Sequence, residues 1–173
     1  KMSFTPNSLK TYLNFAIRKA VSIYKKDYAT QKDFKRKRAL PMDTVIRLLL
    51  SMQGGSLKKE LYDAGVTASA SAFVQQRSKI PWTVFEDILE QFNFYCKDQK
   101  KYKGYRVFAI DGTTVNMPRN PKSDSFVKND STPKGYNQLH VNPLYDVLNK
   151  TYQHCIIQPQ PQQDEVGALT VML

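Results

Sequence analysis

Two hydrophobic periods divide this chain. Up to about Tyr95 apolar residues recur every three or four positions, the spacing of one helix face. From Tyr105 onward they come in short runs suited to strands. Helices followed by strands predict an α+β fold, with a helical region over residues 1–100 and a sheet-bearing region over 101–173. The polar, basic stretch 98–104 reads as the link between them.

Residues 6–26 predict a first helix, with Leu9, Leu13, Ala16, Ile17, Ala20 and Ile23–Tyr24 on one stripe and Asn7 or Ser8 as cap. A second runs from Asp43 to about Met52. Its apolar residues, from Val45 to Leu50, lie almost all round, which predicts a central position. Gly54-Gly55 ends it, Ser56 caps a third helix over 57–63, and Gly65 closes that one as a left-handed cap. A fourth spans about 69–79 and a fifth about 81–97.

The third and fourth have helix-turn-helix proportions. In the fourth, Ala72, Phe73 and Ile80 are predicted to face inward, and Ser71, Gln75, Gln76, Arg77 and Lys79 outward. Gln and Arg read base edges, while Ser and Lys serve phosphates. An ordinary antiparallel helix pair with a polar surface satisfies the same spacing.

Charge separates the halves as well. The net charge is +11, and residues 1–106 carry 21 Lys and Arg against 9 Asp and Glu, whereas 107–173 carry 5 against 6. A basic first part fits a polyanion partner, with nucleic acid the usual one. The densest run, Lys35, Arg36, Lys37 and Arg38, reads as a phosphate-contacting segment or as a solvated loop. No apolar run reaches the ~18 residues of a membrane span, and no lipidation motif or secretory leader stands out. The chain starts at Lys1 and its last helix ends on apolar Val171-Met172-Leu173, the pattern of a fragment. Two cysteines, Cys96 and Cys155, make no disulfide framework and read as free thiols.

In the second part, Val107 to Ile110 is a four-residue apolar run that predicts a strand covered on both faces, ended by an Asp111-Gly112 turn. Alternation puts Asp111 on the face of Val107 and Ala109. A carboxylate where a strand meets its loop suits divalent-metal chemistry, and an Asp-Gly turn is the structural alternative. Residues 117–136 read as one long loop, functional or mobile; strands follow over 137–145 and 152–158, joined as a hairpin, and Asp164 caps a final helix over 165–173. Two-metal phosphoryl transfer needs several carboxylates around ions about 4 Å apart. Asp146 reads as a turn residue, Asp164 as a cap and Glu165 as a first-turn acid, so Asp111 is the one strong candidate. Cys96, His140, His154 and Cys155 lack chelate spacing for zinc. Phosphate-binding loops, dinucleotide fingerprints and nucleophile elbows are missing too.

The order of these features resembles the first half of an insertion-sequence transposase, most of all the DDE group founded on insertion sequence four. The resemblance is carried by Ser69 to Ile80, by Val107-Phe108-Ala109-Ile110-Asp111-Gly112-Thr113-Thr114, by Asn137 to Tyr152, and by Glu165-Val166-Gly167-Ala168-Leu169. It implies a ribonuclease-H-like catalytic core opening with three antiparallel strands and a helix. Asp111 would be the first metal-binding aspartate of the catalytic trio, and Mg2+ or Mn2+ the cofactor of the full-length parent. The family's second aspartate, and its glutamate in a Tyr, Arg, Glu, Lys signature helix, have no counterpart in these 173 residues. The implied function is therefore that of a truncated piece, inactive alone, of an enzyme that cleaves transposon ends and joins them to target DNA. The implied partners are duplex DNA and, as one arrangement, a second copy in a homodimer. The implied place is the bacterial cytoplasm, at the nucleoid. A non-catalytic helix-turn-helix regulator with a small sheet domain is the alternative, and another ribonuclease-H-like nuclease is a third.

Overall fold

A computed structural model describes residues 5–27, 34, 40–96 and 100–173. It is α+β, a helical N-terminal region followed by an antiparallel sheet with helices, and divides into two compact units, Lys1–Cys96 and Lys97–Leu173. No helix among the described residues is long and apolar enough to cross a membrane.

The first unit holds α1 (Pro6–Asp27), α2 (Met42–Ser51), α3 (Leu57–Asp63), α4 (Ala70–Arg77) and α5 (Thr83–Tyr95). Its start differs from the expected cap: the Thr5 hydroxyl, rather than Asn7 or Ser8, accepts the Ser8 N–H at 3.2 Å. Two apolar clusters share α2. Met42 and Ile46 join Ala16, Ile17, Ala20, Val21 and Tyr24 of α1 and Val84 and Ile88 of α5. Val45 and Leu48 turn the other way, to Leu61 of α3 and Phe73 of α4. That double duty explains an apolar circumference on a ten-residue helix; Leu50 is left exposed. Ser56 caps α3 by accepting the Lys59 N–H, and Gly65 (φ +67°) ends it in the left-handed region as expected.

The second unit is built on one long strand. β1 (Phe108–Ile110), β2 (Thr113–Met117), β3 (Phe126–Asn129) and β5 (Thr151–Pro159) all pair antiparallel with β4 (Thr132–Asp146), and α6 (Glu165–Met172) follows a 3-10 turn at Gln160–Gln162. β1 pairs Phe108 with Asp146 and Ile110 with Leu144; β2 pairs Thr113 with Val141 and Met117 with Asn137. The register never shifts between them. Asp111-Gly112 is therefore not a turn but a gap in one continuous edge strand, opposite Asn142 and Pro143. Proline has no N–H, so the ladder cannot close there. β5 pairs with β4 from Leu139 to Asp146 along the other edge, and β3 continues that edge.

Burial alternates along β1, with Phe108 and Ile110 more covered than Val107 and Ala109. A strand covered on both faces was the expectation from its apolar run; one face is open instead, because α6 covers only the other. The supposed long loop is also partly sheet, since β3 and the start of β4 form a hairpin within it. Only residues 118–125 remain irregular between β2 and β3. Asp164 caps α6 by accepting the Gly167 N–H at 2.9 Å.

Candidate functional site

The unbroken register fixes which side chains share a face, because antiparallel partners project on the same side. Asp111 stands with Val107, Ala109, Thr113, Val115 and Met117, and with Leu139, Val141, Pro143 and Tyr145 of β4. It is exposed. The sharing of a face with Val107 and Ala109 is as the alternation predicts.

The opposite face is polar where a sheet is usually apolar. His140, Asn142 and Asp146 are all buried along it, with Leu144 between the last two. His140 is 5% exposed, and its Nε2 lies 3.1 Å from Glu165 Oε1 in the first turn of α6. Gly112 sits directly beneath this pair. A Cβ there would stand well inside 3.0 Å of both Glu165 Oε1 and His140 Nε2. Glycine is thus required for room, not for an unusual φ. Asn142 donates to Gln158 Oε1 at 3.0 Å, and the same oxygen accepts the Asp164 N–H. His140 Nδ1 and Asn142 Oδ1 are buried with no hydrogen-bond partner among the described residues. Sequence reasoning missed this group, apart from naming His140 and Glu165 for other roles. The available signal was polar residues at alternate positions 140, 142 and 146 of one strand.

Asp146 is fully buried and fully used. Its Oδ2 accepts from Arg106 Nε at 3.2 Å and Nη2 at 3.0 Å, and its Oδ1 accepts from Asn149 N at 3.0 Å and Nδ2 at 2.8 Å. Burial pushes its pKa up, but the Asn149 and Arg106 hydrogen bonds and the guanidinium charge outweigh that and leave it below the usual aspartate value. It is a structural turn residue, as its place in the chain suggests.

No group of three or more His, Cys, Asp or Glu that could hold a metal ion occurs among the described residues. Asp146 on β4 and Glu165 on α6 serve the face away from Asp111. Two closely spaced divalent ions need more carboxylate than one exposed aspartate supplies. The described residues therefore do not fit a two-ion centre by themselves.

In the helical unit, Ser71, Gln75 and Arg77 are exposed on α4, and Lys79, just beyond it, is half-buried while its carbonyl accepts the Tyr24 hydroxyl at 3.0 Å. Gln76 corrects the expected outward set: it is 7% exposed. The reason is helical spacing, since Gln76 follows Phe73 by three residues and Phe73 is fully buried in its cluster. Ser69 caps α4 by accepting the Ala72 N–H. Lys35, Arg36, Lys37 and Arg38 lie outside the described residues. Cys96 is a free thiol, and burial raises its pKa. Comparison with family models, with curated protein sequences and with solved structures gives no match.

Proposed function

We propose that this chain is the N-terminal part of a DDE-type insertion-sequence transposase, with a DNA-holding helical unit and the opening strands of a ribonuclease-H-like core. The observation that carries the reading is Asp111: an exposed carboxylate at the break of an edge strand in an antiparallel sheet, preceded by a basic helical unit. The α3–α4 pair supports it with a left-handed glycine between the helices and Ser71, Gln75 and Arg77 on the surface of the second. In this reading the chain acts on duplex DNA, both transposon ends and target, at the nucleoid of a bacterial cell. A homodimer is compatible with it. Mg2+ or Mn2+ belongs to the full catalytic site, to which Asp111 gives one ligand. Alone, these 173 residues are proposed to be inactive in strand cleavage.

The lone carboxylate also favours a second reading, a non-catalytic helix-turn-helix DNA-binding regulator. Both readings put DNA on α4, and one experiment tests that. Gln75→Ala with Arg77→Ala should weaken duplex binding by the whole chain about ten-fold or more, as expected for losing side chains worth ~1–3 kcal/mol each. Gln76→Leu, a buried change, should leave it within about two-fold if the fold is kept. Equal effects of the two variants would take DNA off this face.

A further inference from the structure

Residues 118–125 are longer than a connection between β2 and β3 needs, and the fold spends a buried side chain on holding them. Asn137 is 2% exposed. Its Oδ1 accepts the Asn120 N–H at 2.6 Å, and its Nδ2 donates to Asn120 O at 3.0 Å and Ser125 Oγ at 2.9 Å. Ser125 Oγ is also 2.9 Å from Ser123 Oγ, Lys122 N donates to Asn120 Oδ1, and Gln138 N donates to Ser125 O. Arg119 lies over the Phe126 ring and donates to Lys134 O at 3.0 Å. The loop is thus bound to the sheet through its own polar groups.

Its side of the sheet follows from register. Asn137 pairs with Met117, and Met117 stands on the face of Asp111. A loop held by the Asn137 side chain therefore rises on the Asp111 face. This loop and the β3–β4 hairpin also hold the region's positive charge. Of the five Lys and Arg in residues 107–173, four are Arg119, Lys122, Lys128 and Lys134, with Asp124 and Asp130 the acids among them. All four are exposed, and none forms an ion pair among the described residues. From Asp111 to Met117 the strand advances about 20 Å. At ~3.4 Å per phosphate along one strand, that is about six nucleotides.

We propose that the 118–134 arm is a second nucleic-acid contact, binding the phosphate backbone of duplex DNA about six nucleotides from the point that meets Asp111. The inference rests on the DNA reading above and adds a surface in the sheet unit to the one on α4. Cations on a backbone-anchored loop suit this partner, because a pre-ordered loop loses little entropy on binding and each neutralised phosphate releases counterions. The bases are not read here; the arm positions the duplex.

The test is fluorescence anisotropy of the whole chain on a labelled duplex of about 30 base pairs, titrated at several salt concentrations. Lys122→Gln with Lys128→Gln should lower the slope of log affinity against log salt by about two, and weaken binding about five-fold for each charge near ~0.15 M salt. Lys150→Gln removes one positive charge at the other end of β4, outside the arm, and should change neither quantity. Thermal melting checks that each variant folds, and all three positions are exposed. A slope and affinity equal to those of Lys150→Gln would overturn the arm while leaving the DNA reading intact. Failure of the unaltered chain to bind the duplex would overturn both.

Discussion

At the scale of single residues, the strongest constraint near Asp111 is the absence of a side chain at its neighbour. Gly112 gives the His140 ring and the Glu165 carboxylate the space a Cβ would fill. Gly112→Ala forces that pair or the strand to shift. Overpacking of this kind costs about 1–3 kcal/mol, and the midpoint of thermal unfolding should fall accordingly; an unchanged midpoint would show that the pair gives way freely. The Asp111-Gly112 dipeptide was legible in the sequence as a special point, but for the wrong reason. Asp-Gly normally signals a turn, and the sequence alone does not place Pro143 opposite it. Nor does it bring Glu165, far along the chain, onto Gly112. Gln76 is a similar case. Its polarity suggested the surface, whereas its spacing from Phe73 put it inside, and spacing won because the cluster around Phe73 fills that face of α4.

Elements were more legible than contacts. Helix starts marked by Ser56 and Asp164, and the left-handed Gly65, came out where local chemistry placed them. Strand ends did not, because pairing with β4 extends β2 to Met117 through residues with no hydrophobic run. The same long strand makes one carboxylate decisive. Asp146 ties the end of β4 to Arg106 before β1 and to Asn149 in the turn before β5. Its folded pKa lies below the unfolded value, so its contribution is present above about pH 4, the unfolded aspartate value. That contribution is lost as pH falls through the lower folded value, because the unfolded chain takes up the proton first. Asp146→Asn should therefore destabilise the protein at pH 7, with removal of one partner of a buried pair costing about 3–5 kcal/mol at most. It should also flatten the fall in stability below about pH 4. Urea unfolding at pH 7 and pH 3 checks this. A mutant as acid-sensitive as the original chain would assign the dependence to other groups.

Across the whole molecule, two units of different construction carry different charge. The helical region holds most of the cations, while the sheet unit exposes an aspartate on one face and keeps a polar network on the other. That division was visible in the sequence as a change of period and charge near residue 100, and it is one support for the proposed DNA reading. Asp111 was already legible as a lone candidate ligand; what stayed hidden was that Asp146 and Glu165 serve the opposite face, since that depends on the register of the strands. The central claim, that the chain holds duplex DNA through its basic surfaces, is met most directly by one titration. The affinity of the 173-residue chain for a duplex, measured from about 50 to 200 mM salt, should fall by roughly 10³-fold or more if about six phosphates are neutralised. Binding that is absent, or that does not change over this range, would contradict it.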